Sequence, residues 1–160
     1  MIIEFKANIS IEIPTDICKE LLQYRQNAMM NESGGILLGK KQNGSNKYEI
    51  TRVTTPSKDD FSTRCSFIRN KKKAQTILNE EWQKSKGVVN YLGEWHTHSV
   101  PNPRPSYVDK LFIRQLQNDK TNQFKHFFMF ILGNTGNLYI AIVDSHQRGK
   151  IVCEKLVEVE

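Results

Sequence analysis

No apolar stretch in this sequence approaches the ~20 residues that a membrane-spanning helix needs, so a helical membrane span is excluded. The opening segment, MIIEFKANISIEI, carries Glu4 and Lys6 inside its apolar pattern. It lacks the basic start, unbroken apolar centre and small-residue cleavage site of a secretory signal, and the expected location is the cytoplasm. Cysteine is scarce. Cys18, Cys65 and Cys153 are scattered, odd in number and without a C-x-x-C pair, which argues against a disulfide framework or a cysteine-held zinc and predicts buried thiols. Repeats, low-complexity tracts and linker-like segments are also missing, so the 160 residues predict one domain over 1–160.

The net charge of +6 raises the question of nucleic acid, but the basic residues lack what that function needs. The densest cluster, Arg69-Asn70-Lys71-Lys72-Lys73, has no interleaved aromatics and sits where a helix begins. It is expected to be a solvated helix face, with no nucleic-acid partner. Steering of an acidic protein partner is the remaining use for such a charge.

What the sequence does contain is strand-rich. Ile9, Ile11 and Ile13 alternate with polar residues, predicting a half-buried strand. Pro14-Thr15-Asp16 reads as the entry to a helix running to about Ala28. Asn31 to Gly35 forms a turn feeding the apolar run Ile36-Leu37-Leu38, and Asn43-Gly44-Ser45-Asn46 links that run to a strand over Tyr48–Thr54 as a hairpin. Residues 55–66 are polar and irregular and read as a loop. Ala74, Ile77, Leu78 and Trp82 carry helical spacing over 70–85, and Val88–Trp95 reads as a buried strand. The three prolines within Ser99–Pro105 require a loop, because proline serves neither a helix interior nor a sheet interior. A helix from Ser106 to about Gln117 follows, then strands over His126–Leu132, Leu138–Val143 and Ile151–Val159, separated by turns at 133–137 and 146–149. This order predicts an α/β fold with a mixed, largely antiparallel β-sheet flanked by two to three helices.

The stretch that carries chemistry is Gly93-Glu94-Trp95-His96-Thr97-His98, followed by the proline loop and Ser106-Tyr107-Val108-Asp109. Side chains alternate faces along a strand, so His96 and His98 point the same way. Asp109, returned by the loop and the first turn of a helix, supplies a third ligand. Two histidines and an aspartate with one position open describe a catalytic zinc site and not a closed structural one. Taken singly each half is weak: H-x-H is common, and Ser106-x-x-Asp109 alone reads as a helix cap. Their joint occurrence across a loop able to bring the chain back is what carries weight.

H-x-H, seven residues, then S-x-x-D resembles the signature of the JAB/JAMM (MPN-plus) metalloproteases, and Glu32-Ser33-Gly34-Gly35-Ile36-Leu37-Leu38-Gly39 resembles that family's upstream glutamate and following strand. The resemblance covers about residues 10–145. It implies a single JAB/MPN domain of the cytidine-deaminase-like type and one Zn2+ per chain on His96, His98 and Asp109. It also implies that Glu32 is the general acid and base and that Ser106 donates a hydrogen bond to the oxyanion. Glu94 should share the face of His96 and His98, with its role left open, and Trp95 should face the core.

A narrower resemblance, through Ala74-Gln75, Trp82-Gln83-Lys84-Ser85 and Tyr91 to His98, is to the standalone JAB proteins of bacterial CBASS anti-phage operons. It implies an isopeptidase acting on a protein with an extended C-terminal tail, either a ubiquitin-like conjugate or a CBASS cyclic-nucleotide synthase. Ser99 stands where that family commonly has proline, a departure that leaves the ligand positions untouched. Two other readings stay open: a peptidase of another bacterial ubiquitin-like or sulfur-carrier pathway, and a non-catalytic MPN scaffold. Residues 55–66 and the proline loop are the expected walls of the substrate cleft.

Overall fold

The structure, a computed structural model, describes residues 1–116, 124–147 and 150–159. Strands β1 (Ile2–Glu4), β2 (Ile9–Glu12), β3 (Gly34–Lys41), β4 (Asn46–Val53), β7 (Asn90–Thr97), β8 (His126–Leu132), β9 (Asn137–Asp144) and β10 (Ile151–Glu158) form one sheet. Its order is β1-β2-β4-β3-β7-β8-β9-β10. The pairs β2–β4 and β7–β8 are parallel and the others antiparallel, so the expected mixed α/β architecture is the one observed. A separate two-stranded hairpin, β5 (Phe61–Thr63) and β6 (Ser66–Ile68), stands off this sheet. No helix among the described residues is long and apolar enough to cross a membrane.

Three helices, α1 (Thr15–Leu22), α2 (Lys71–Lys84) and α3 (Tyr107–Leu116), cover the sheet. Strand β8 shows how its two faces are used. Phe128, Phe130 and Leu132 pack in the core that contains Ile17, Cys18 and Leu21 of α1, whereas Phe127, Met129 and Ile131 meet Ile113 of α3. Ala74 of α2 lies on Ile36 and Leu38 beside them. Period-two alternation with both faces buried explains why β8 reads as an unbroken apolar run.

A one-residue bulge in β7 decides which side chains reach the α2–α3 side. Leu37 pairs with Gly93 and Leu38 with Tyr91, so Leu92 is skipped. Leu92 and Trp95 therefore share the α1 face, while Tyr91 packs on the opposite side. Gly93 permits this with φ +146°, and a Cβ there would lie 1.8 Å from the Phe128 carbonyl oxygen.

Several elements differ from the sequence expectation. Helix α1 ends at Leu22, short of Ala28: the Gln23 amide donates to the Glu20 carbonyl, a tightened last turn, and the following residues leave the helix axis. β1 was not expected, because only its Ile3 is buried. The segment 55–66 is not wholly loop, since it contains β5 and the turn into β6. Of the thiols expected to be buried, Cys18 is buried, Cys153 half-buried and Cys65 exposed. The expected helix residue Gln117 and the turn residues Arg148 and Gly149 lie outside the described residues.

Candidate metal centre

His96 is in register with Gly34 of β3 near the end of β7, and His98 continues the parallel ladder by donating its amide to the Leu132 carbonyl at 2.9 Å. Their Nε2 atoms are 3.2 Å apart. Asp109 Oδ1 lies 3.2 Å from His96 Nε2, and Oδ2 lies 3.5 Å from His98 Nε2. These residues form the group able to hold a metal ion among the described residues. A tetrahedral zinc with bonds of roughly 2.0–2.1 Å needs ligand atoms about 3.3–3.4 Å apart. The two Nε2 atoms stand near that spacing, and one Asp109 oxygen faces each of them, so the residues present fit the ion.

Asp109 is aimed by the helix start it belongs to. The Ser106 amide donates to Asp109 Oδ2 at 2.6 Å, and the Asp109 amide donates to Ser106 Oγ at 3.1 Å. The pair is thus a capping box at the N-terminus of α3, and its Asp109 belongs also to the group able to hold a metal. Burial pushes the Asp109 carboxyl up, but hydrogen bonds from His96 and His98 outweigh it and hold the group well below the usual carboxylate range. Ser106, while accepting from Asp109, keeps its own O–H and borders the cleft along with His96.

Glu32 ends the loop before β3, is 8% exposed, and has Oε1 3.8 Å from His98 Nε2. Burial raises its pKa, opposed by the charges of His96 and His98 and aided by Asp109. The loop is held by a buried network. Gln26 Nε2 donates to the carbonyls of Met30 and Arg64, and Gln26 Oε1 accepts from the Thr97 hydroxyl. The same hydroxyl oxygen accepts from the Ser33 amide at 2.9 Å.

Glu94 does share the α2–α3 side and borders the cleft. Arg69 Nε donates to both its oxygens at 2.8 and 3.0 Å, and the Tyr91 hydroxyl donates to Oε1 at 2.8 Å. Burial works against the Arg69 charge, but the Glu94 carboxylate outweighs it and raises the guanidinium pKa further. Arg69 therefore turns inward, unlike the solvated helix residue the basic cluster suggested. Trp95 faces the core as expected, donating Nε1 to the Thr54 carbonyl at 2.9 Å.

A cleft of about 360 Å³ opens beside these groups, between β6 (Ser66, Phe67, Ile68) and α3 (Val108, Leu111, Phe112). Of the expected walls, segment 55–66 contributes Cys65 and Ser66. The proline loop does not line the cleft. It is fastened to the β8–β9 turn, where Asn137 Nδ2 and the Thr135 hydroxyl donate to the Pro101 carbonyl. The sequence reading missed Gln26, Arg69 and Tyr91. The alternation Phe61-Ser62-Thr63 and Ser66-Phe67-Ile68 around a two-residue turn was the available signal for the hairpin.

A family model describing prokaryotic homologs of the JAB domain matches residues 14–148. The chain belongs to that family. It is similar to proteins named CD-NTase/cGAS isopeptidase. One from Escherichia coli is 35% identical over 62% of this chain and 63% of its own length, and one from Vibrio cholerae is 30% identical over 69% and 70%. A probable metalloprotease of Sinorhizobium fredii is 26% identical over 66% of this chain and 65% of its own length. The solution structure of a Desulfitobacterium hafniense protein superposes with a TM-score of 0.60 at 17% identity, covering 94% of this chain and 91% of that one. That likeness concerns the fold alone.

Proposed function

We propose that this JAB-family protein is a zinc-dependent isopeptidase. It hydrolyses the bond between the C-terminus of a conjugated protein and a target amine, in the bacterial cytoplasm. We infer further that the conjugated protein is the cyclic-nucleotide synthase of a CBASS anti-phage operon. The observation that carries the reading is the convergence of His96 Nε2, His98 Nε2 and the Asp109 carboxylate, one oxygen facing each histidine, with the Glu32 carboxylate 3.8 Å from His98 beside it. The relatives named CD-NTase/cGAS isopeptidase support the substrate.

In this reading His96, His98 and Asp109 hold one zinc, which supplies Lewis acidity and brings the pKa of water to about 7. Glu32 takes the proton of the attacking water and delivers it to the nitrogen of the breaking C–N bond, so the amine leaves neutral. A buried carboxyl standing beside His98 is placed to carry that proton in both directions. Ser106 donates its O–H to the oxygen that becomes negative when the carbonyl carbon turns tetrahedral. The substrate tail lies in the cleft in extended form, hydrogen-bonded along the outer edge of β6, with apolar walls from Phe67 and Phe112.

The test uses purified protein supplied with zinc and two fusions: one ending in the C-terminal tail of a CBASS synthase joined to a reporter, the other in a bacterial ubiquitin-like tail. Cleavage at the junction of the first, stopped by chelation, supports the reading. Cleavage of the second alone moves the enzyme to another ubiquitin-like or sulfur-carrier pathway. A zinc-loaded protein inert toward every tail is a scaffold, and the enzyme reading fails.

A further inference from the structure

We propose that Arg69, Glu94 and Tyr91, acting through the β5–β6 hairpin, are positioning residues for Glu32; this rests on the reading of Glu32 as the proton carrier. The hairpin is outside the main sheet and is fastened at two places. At one end Arg69, the residue after β6, is clamped on both oxygens of Glu94, two residues before His96, and Tyr91 holds Glu94 from its own strand. At the other end, β5 holds both main-chain groups of Glu32. The Glu32 amide donates to the Thr63 carbonyl at 2.7 Å, and the Ser62 hydroxyl donates to the Glu32 carbonyl at 2.5 Å. Between the two ends, Phe67 occupies the space that a Cβ on Gly34 would take, 2.5 Å from its ring.

The hairpin therefore forms one wall of the cleft and links the histidine strand to the glutamate loop. Its register sets how far the Glu32 carboxylate stands from His98. Net stability is a poor explanation for such a pair, since the cost of removing two charges from water commonly cancels their attraction. Here one N–H, that of Arg69 Nε, is shared between both Glu94 oxygens, and with the Tyr91 hydroxyl on Oε1 these charge-assisted bonds fix the place of the carboxylate. Because a displacement of about 1 Å in a reacting group can cost roughly a hundredfold in rate, placement is the effect with enough magnitude to matter here.

The experiment measures steady-state kinetics, zinc content and amide hydrogen exchange for Arg69→Gln, Arg69→Lys, Tyr91→Phe and Ser62→Ala, beside Glu32→Gln. Arg69→Gln should lower kcat about ten- to a hundredfold with KM and zinc content little changed, and Arg69→Lys should recover part of it. Ser62→Ala, which alters one bond to Glu32, should lower kcat about three- to tenfold. In metal-free protein, both Arg69→Gln and Ser62→Ala should speed exchange of the Glu32 amide while leaving β8 protected. Should Arg69→Gln fail to fold, Tyr91→Phe and Ser62→Ala decide the matter. Wild-type kcat in the folded variants, or a loss confined to KM or to zinc content, overturns the inference. If Glu32→Gln itself turns over normally, the reading of Glu32 fails; if it is inactive while Ser62→Ala and Arg69→Gln match wild type, only the positioning role is wrong.

Discussion

Ser106 and Asp109 fasten each other across the first turn of α3, the amide of each donating to the side chain of the other. One pair of residues thus satisfies two amides at a helix start and aims the carboxylate of the group able to hold a metal, so a change at Ser106 should be felt twice. Ser106→Ala should lower the stability of the metal-free protein by about 1 kcal/mol, the usual cost of a lost N-cap. It should also lower turnover of the zinc-loaded enzyme. Urea denaturation without zinc and kinetics with zinc separate the two effects.

Zinc should bind at about one ion per chain and protect the fold. At free zinc about a hundredfold above Kd, the stabilisation should be about 2.7 kcal/mol. His98→Ala and Asp109→Ala should lose most of the metal and most of this stabilisation. Metal analysis beside thermal melts checks it, and full retention of zinc by both variants would rule out the site.

Glu32→Gln keeps size and shape but cannot carry a proton. Turnover should fall by about 10²–10⁴-fold, with folding and zinc content retained. Stopped assays on a tail fusion measure the fall. Near-normal rates would assign proton transfer to another group.

At the opposite end of β8, the His126 ring lies buried with Nδ1 2.9 Å from the Tyr48 hydroxyl. Burial lowers the His126 pKa below its ordinary 6.5, reinforced by Lys125, Lys41 and His146 and opposed by Asp144. Burial also pushes Tyr48 up to about 12, so its hydroxyl stays protonated. Because the native pKa is depressed, the unfolded chain takes up the proton first on acidification. This contribution to stability is complete above pH 6.5 and is lost as pH falls through the native value. Urea midpoints across that window should fall in wild type and fall less in His126→Gln. Equal slopes in the two proteins would locate the dependence elsewhere.

Gly93→Ala should destabilise by about 3 kcal/mol or more, through a strained φ and a clash with the Phe128 carbonyl. Denaturant unfolding measures it, and a loss below about 1 kcal/mol would mean that the bulge can relax.

Much of this protein was legible in one dimension because its cues are local. Strand and helix periods, the proline loop and the H-x-H spacing each depend on residues within a few positions of one another. Those cues placed β8 at its observed bounds and set His96 and Glu94 on one side, with His98 Nε2 3.2 Å from that of His96. Other features depend on which distant segments touch. Nothing near Arg69 in sequence announces that it pairs with Glu94, 25 residues away. The bulge at Leu92 is set by the Leu37–Leu38 step of β3, and the end of α1 is followed by a loop tied to Thr97 through Gln26. Alternation and ligand spacing are properties of the chain's own geometry, so residue order by itself marked out His96, His98 and Asp109 as the group able to hold a metal. The cleft wall, the inward arginine and the grip of β5 on Glu32 arise from burial and pairing between elements far apart along the chain, and only the tertiary structure decided them.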